Sequence, residues 1–551
     1  MTFANMGTLY HRSLFLSILY SALLLVPAAF MIGCSENADS KKQVFRYNEA
    51  TGIASLDPAF AKNQSVMWAV HQLYNTLVEV DSNLNIVPSL AKAWTVSPDR
   101  KTYTFYLRRG VYFHDNPAFP GGKGRELVAT DVVYSLNRII EPSVASSGAW
   151  IFNGRVDTAK PFVALNDTTL QLKLLHPFHP ILGILTMPYC SIVPKEVVER
   201  FDGDFRRNPC GTGPFFLKYW QEGDALVLHK NYRYWQHDST GKRLPYLDAV
   251  QVSFFNNKST EFLQFRQGKL SFVNDIGPAF KDELLTRSGD LRNEWKGKLV
   301  LKKHPYLNVE YFGILTGSNS PLHSKLVRQA INYAIDRDKL VLYLRNSIGI
   351  AAKAGFVPAG LPSLNTENVK GYGYNPKKAL DLLNKAGYFT SMHKPVVTLT
   401  SIPMYAEIAS FVAKELENIG MNVKVDIVQK SLLLEQTAKG TTSFFRGSWI
   451  ADYPDAENYM AVFYSKNPAP PNYTRYKNEA FDKLYEQALQ ETIDSARYKL
   501  YHQMDQLVIE DAPIVPIWYD MVLHVLQPNL KSFQPNALNM LELRWARFDE
   551  E

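Results

Sequence analysis

A mixed α/β fold built around an open, partly parallel sheet is predicted for this chain from three stretches of sequence. Val396–Thr400 (VVTLT) reads as a strand. Tyr405, Ile408, Phe411, Val412, Leu416 and Ile419 then recur at helical spacing up to Gly420, and Val423–Val428 resumes a strand. Strand, helix and strand with short joints form a parallel βαβ unit, which implies an α/β sheet. The apolar stripe on the helix is the face that packs on the sheet.

The earlier elements have the same mixed character. Thr102–Leu107 (TYTFYL) is rich in aromatic and β-branched residues and reads as a strand, and Thr169–Leu175 (TLQLKLL) alternates as another. Between them Ala129–Ile140 (ATDVVYSLNRII) reads as a helix capped at Thr130 or Asp131. Ala330, Ile331, Ala334 and Ile335 form a small-residue helix face suited to close packing. GTGPF from Gly211 is expected to need glycine dihedrals. In VYFHDNP, Asn116 follows His114 and Asp115 and suits a left-handed turn.

At 551 residues the chain exceeds one core, and at ~100–200 residues per domain it implies two to four domains. No repeat and no Ser/Gly linker after residue 44 divides it, so topology must. Hydrophobic residues at 46% and charged residues at 21% exclude a disordered chain or a wholly membrane-embedded one. The net charge of +7 is dispersed over 60 basic and 53 acidic residues with no basic run, which argues against nucleic-acid binding.

Catalytic patterns are missing from the sequence. It has no GxSxG, HExxH or Walker A sequence and no Gly-rich dinucleotide turn after a strand. Gly121, Gly122 and Gly124 beside Pro120 read as a surface loop, and His176 and His179 around Pro177 as loop residues rather than metal ligands. No catalytic residue, metal or cofactor is therefore expected.

Four blocks far apart in sequence carry a family resemblance: PSLAKAWTVSPDRKTYTFYLRRGVYFHD from Pro88, NPCGTGPFFLKYW from Asn208, LVRQAINYAIDRDKL from Leu326 and RGSWIADYPDAENY from Arg446. Together they resemble the bacterial extracellular solute-binding proteins of family 5, the oligopeptide and dipeptide type, from about Phe45 nearly to the C-terminus. The resemblance implies a two-lobed fold of the periplasmic-binding-protein type II, large cluster, with an extra inserted domain and a cleft between the lobes. It implies lobe one at 44–87, 190–303 and 510–551, the inserted domain at 88–189 and lobe two at 304–509. The implied function is capture of short peptides by a monomer for an ABC permease and its ATPase. Other cargoes bound in this family are oligosaccharide, nickel, haem and opine. A lipid-anchored hydrolase or adhesin is a different class of reading.

By the same resemblance Asp452 would meet a peptide α-amino group and Arg446 the C-terminal carboxylate, which a planar guanidinium grips with two parallel bonds. Asp455 is a reserve anchor. Trp449 and Tyr453 offer flat surfaces to ligand side chains, or are core. Asn63, Gln64 and Ser65, in KNQSV after the SLDP turn, correspond to a loop that runs beside the ligand backbone like an added strand. A purely structural reading competes: Arg446 and Asp452 pair with each other, or Asp452 and Asp455 cap helices.

Leu14–Phe30 is apolar, follows His11 and Arg12 and ends at Met31-Ile32-Gly33-Cys34, resembling a lipoprotein signal peptide (1–34) with Cys34 as the lipid acceptor. An uncleaved membrane helix is the alternative, although Pro27 interrupts the run. A polar tether at 35–43 follows, giving an exported, membrane-anchored protein that faces the periplasm. Cys190 and Cys210 either pair, which would contribute ~3 kcal/mol in the chain-entropy picture, or remain buried thiols.

Overall fold

The computed structural model describes residues 42–549 except 158, 277, 318–321, 362–367, 391–394 and 492. Cys34, the signal segment and nearly all of the 35–43 tether lie outside the described residues. No helix among the described residues is long and apolar enough to cross a membrane.

Three principal sheets organise the chain. The first runs Val44–Asn48, Ala249–Ser253, Ala225–Lys230 and Phe215–Gln221, its first pair parallel and the others antiparallel. The second, formed by Ala91–Val96, Thr102–Leu107, Thr169–Lys173 and Phe162–Asn166, is antiparallel throughout. One apolar core serves both. Phe45 and Leu228 from the first sheet, Phe105 and Leu172 from the second, and Trp68 and Leu136 from the helices Gln64–Leu73 and Ala129–Ile140 belong to it. Arg138 fastens the two parts with paired bonds of 2.7 and 2.6 Å to Asp57, a charge-assisted fork.

The large sheet runs Phe272–Asn274, Ile514–Leu526, Val300–Ile314, Phe444–Ile450, Val396–Ser401 and Asn422–Ile427. Its first four strands are antiparallel, and the last two pairings are parallel. Val396–Ser401, helix Ala406–Asn418 and Asn422–Ile427 form the predicted βαβ unit, with Ile408, Val412 and Leu416 buried against the sheet. Strand alternation splits the neighbours Val515 and Ile514 between two cores. Val515 joins Ala330, Ile331 and Ala334 on one face, whereas Ile514 joins Phe356, Tyr459 and Met504 on the other.

The last residues return to helix Gln64–Leu73. Trp68 Nε1 donates to the Asn539 carbonyl at 2.7 Å and Gln72 Nε2 to that of Leu541 at 2.7 Å. Buried Arg544 grips Glu79 with bonds of 3.0 and 2.9 Å.

Several local expectations change physically. Helix Ala129–Ile140 starts after Val128, and Asp131 acts from its third position by accepting from the Val128 N–H at 2.9 Å. Gly211 and Gly213 stay out of the left-handed region; they are required by space, because a Cβ there would lie 2.2 Å from the Leu73 carbonyl oxygen and 2.3 Å from its carbon. Asn116 does not turn left-handed either, and instead accepts from the Ala118 N–H at 2.9 Å. The open alternative for the cysteines resolves to thiols: Cys190 and Cys210 are free and buried, donating to the separate carbonyls of Ile184 and His114. They are therefore not a disulfide pair.

Two predictions follow from buried groups. Burial pushes Asp505 up to about 7 although it accepts from the Phe356 N–H at 2.7 Å and more weakly from that of Val357. The folded state thus keeps a proton that the unfolded chain releases near 3.8. Stability from this group is full below about pH 4, falls as pH rises towards 7 and is flat above. Asp505→Asn should flatten the decline of Tm between pH 5 and pH 7.5, and an unchanged slope would count against it. For the cysteines, thiol titration of the full chain without reductant should gain two groups on adding denaturant, namely Cys190 and Cys210.

Candidate ligand-binding site

The segment 446–458 starts inside the large sheet and ends in a turn and a short helix, and this change of structure decides what its charges do. Strand Phe444–Ile450 pairs with Val300–Ile314 so that Ser448 faces Glu310 and Ile450 faces Asn308. Arg446 is therefore the diagonal neighbour of Glu310, within reach of a long side chain. Its Nη2 donates to Glu310 Oε2 at 2.5 Å, with the side chains only 13% and 5% exposed. Gly447 lets Tyr311 pack across the strand, since a Cβ there would lie 2.6 Å from the ring.

That pair is the start of a longer network. Tyr405 lies under the Arg446 guanidinium at 4.0 Å and donates its hydroxyl to Glu310 Oε1 at 3.3 Å. Asn308 Nδ2 donates to Glu310 Oε1 and Asp520 Oδ2, both at 3.2 Å. Asp520 in turn accepts from Arg345 Nη2 at 2.8 Å. Tyr405 stacks on Trp518 with 6.2 Å between centroids, and Arg345 lies 4.8 Å from Trp518. Two arginines, two carboxylates and two rings thus form a closed array. Burial pushes the Glu310 carboxyl up and Arg446 pulls it down, with a net upward direction.

Asp452 has a different setting. It follows the strand, remains exposed, and is paired with no cation among the described residues. The Asn458 amide holds it through two bonds of 3.3 Å, one to the Asp452 carboxylate and one from the Asp452 N–H. Enough protein surrounds this open carboxylate that desolvation, the largest influence, raises its pKa; the Asn458 hydrogen bond and the Arg155 charge oppose the rise and Glu457 adds to it. Beside this turn, a Cβ on Gly183 would lie 3.5 Å from Pro454.

The other predicted residues separate into wall and frame. Trp449 is half-buried and donates Nε1 to Asn458 Oδ1 at 3.0 Å. Tyr453 is buried with its hydroxyl on Glu457, which also takes the Tyr485 hydroxyl, so it belongs to the core. Asp455 caps the turn at Glu457 N–H, 2.9 Å away, and meets buried Arg497 at 3.2 Å. It is engaged within the protein rather than free as a reserve anchor. Arg446 and Asp452 do not pair with each other.

The KNQSV loop is not strand-like beyond Asn63. Gln64 begins helix Gln64–Leu73, Asn63 is its exposed N-cap, and Gln64 accepts from Asn274 at 3.4 Å. Ser65 is buried, and its Oγ has no hydrogen-bond partner among the described residues. No described hydrogen bond or ion pair joins residues 63–65 to 446–458. Sequence reasoning missed Asn458, which orients both Trp449 and Asp452, although it lies within the quoted block. It also missed Glu310, whose relation to Arg446 exists only through strand pairing. Among the described residues no group of three or more His, Cys, Asp or Glu is placed to hold a metal.

The mixed α/β frame is that of a solute-binding protein, and the chain belongs to the bacterial extracellular solute-binding proteins, family 5, whose profile matches residues 85–471. Among its relatives, a dipeptide-binding protein of Bacillus subtilis (strain 168) is 24% identical over 551 residues, covering 94% of this chain and 96% of the relative. Heme-binding protein A of Haemophilus influenzae is 27% identical over 522 residues, covering 91% of each chain. A solved periplasmic binding protein from Helicobacter pylori, in complex with the peptide STSA, superposes with a TM-score of 0.72 at 27% identity, over 92% of this chain and 98% of the other.

Proposed function

We propose that this chain captures short peptides between its lobes by their free α-amino group and hands them to an ABC permease and ATPase. The observation that carries the reading is Asp452: an exposed carboxylate in no ion pair among the described residues, oriented by Asn458. A protonated amine supplies the ion pair and the further donors that this carboxylate lacks. Support also comes from the dipeptide-binding relative and the peptide-bound neighbour. The haem-binding relative keeps a second cargo class in view, one that would make no use of an amine anchor.

In this reading lobe one comprises 44–87, 190–303 and 510–551, the inserted domain 88–189, and lobe two 304–509. The return of Asn539 and Leu541 to helix Gln64–Leu73 supports joining the C-terminus to lobe one. Closure of the lobes on a bridging ligand creates contacts that the open state lacks, so the closed form becomes the one the permease recognises. The protein acts as a monomer tethered to the membrane through lipid on Cys34. Cys34→Ala should move it from the membrane fraction to the soluble fraction, and retention in the membrane would leave the tether reading without support.

Refolding to strip cargo, followed by melting with peptides, N-acetylated peptides and oligosaccharides, tests the cargo. Free peptides should raise Tm and acetylated ones should not. Asp452→Asn should weaken peptide binding by about 1 kcal/mol or more, roughly five-fold in Kd, with little change in Tm. Equal affinities would remove Asp452 from the site, and a shift with sugars alone would replace the cargo.

A further inference from the structure

We infer that the site reads the amino end of its peptide and is indifferent to the terminal carboxylate, because Glu310 already occupies the cation, Arg446, that a carboxylate would need. The inference rests on the peptide reading and specifies its substrate class: amino-terminated peptides whose far end is acid, amide or further chain alike.

The geometry of Arg446 carries the argument. A guanidinium grips a carboxylate through one of two edges, Nε with Nη2 or Nη1 with Nη2. Nη2 carries one hydrogen on each edge, and Glu310 takes one of the two at 2.5 Å. Nε is buried with no partner among the described residues, so that edge is closed to a ligand. One face of the plane is covered by Tyr405 at 4.0 Å. Nη1 and the second hydrogen of Nη2 are left, on a side chain only 13% exposed whose charge Glu310 already neutralises, and such donors offer a carboxylate little over water.

Glu310 is not free to swing away. Asn308 and Tyr405 both donate to its second oxygen, at 3.2 and 3.3 Å. A ligand carboxylate displacing it would leave a side chain only 5% exposed charged and unpaired, the costly outcome for a buried ion pair. The neighbouring cation gives no alternative. Arg345 is paired with Asp520 at 2.8 Å and covered by Trp518. Lys281 lies in the fields of Asp275 and Asp520, beside Arg345. The array of Arg446, Glu310, Asp520 and Arg345 sums to zero charge. Arg155, whose charge reaches Asp452, is turned to the carbonyls of Trp150 and Ile151 and lies 4.7 Å from the Phe178 ring.

Calorimetry on the refolded full-length protein with di- to penta-alanine, each as free acid, C-terminal amide and N-acetyl form, tests this. Acid and amide should bind within about three-fold of each other, and acetylation should weaken binding at least ten-fold. Glu310→Gln keeps the shape and removes the charge; it should create at least a ten-fold preference for the acid. Wild type preferring the acid ten-fold while still requiring the amine overturns this inference and leaves the peptide reading standing. So does a Glu310→Gln protein, folded by its melt, that gains no acid preference. If that variant does not fold, the wild-type acid-to-amide ratio decides. Failure of every peptide to bind a protein with an intact melt removes the peptide reading and this inference with it.

Discussion

The antiparallel pairing of two long strands, Val300–Ile314 and Ile514–Leu526, is the constraint on which the rest depends. Their register runs from Val300 opposite Leu526 to Gly313 opposite Ile514. At one end Phe272–Asn274 joins them, and at the other Phe444–Ile450. Chain segments from the middle and the last thirds of the molecule therefore share one hydrogen-bonded ribbon. The register slips twice, between Pro305 and Val309 and between Glu310 and Tyr311. Irregular pairing of this kind bends a strand and re-aims its side chains. Asn308 and Glu310, the two centres of the polar array, flank these slips.

The array itself is a compromise between burial and charge. Removing an ion pair from water costs more than its attraction returns unless the remaining donors and acceptors are satisfied. Here the carboxylates are satisfied, Glu310 by three partners and Asp520 by two arginine- or amide-borne donors, whereas Arg446 Nε, Asn308 Oδ1 and Trp518 Nε1 are buried with no partner among the described residues. Stacked Tyr405 and Trp518 cover the guanidiniums of Arg446 and Arg345 in turn, so rings and cations alternate along one side while carboxylates line the other. The upward direction at Glu310 shows that desolvation still outweighs Arg446 there.

Local elements were legible wherever periodicity or composition acts over a few residues. Thr102–Leu107 and Ala129–Ile140 appear with the boundaries read from sequence, and the βαβ unit is parallel as its order requires. Features set by distant partners were not legible. Nothing near Gly211 indicates that the Leu73 backbone will crowd it. Nothing near Asp455 indicates Arg497, and Glu310 and Arg446 are 136 residues apart. Cys190 and Cys210 looked like a possible pair only because the sequence does not reveal that each thiol has its own carbonyl.

The contrast between Arg446 and Asp452 shows how six residues change a charge's role. Both belong to one conspicuous block, and by residue type alone either suits a ligand terminus. Arg446 is still within the sheet, where a neighbouring strand presents side chains at fixed spacing, so an opposite charge two residues along on that strand captures it. Ile450 opposite Asn308 is the last rung. One further backbone bond, from the Ala451 N–H to the Leu307 carbonyl at 2.9 Å, ends the pairing, and Asp452 is then held by Asn458 from the following short helix, a neutral amide that orients the carboxylate without cancelling it. The end of strand pairing is therefore also the point where charge becomes available to a solute. A carboxylate two residues earlier would stand on the rung opposite Asn308 and diagonal to Glu310, where it would meet a like charge rather than a solute.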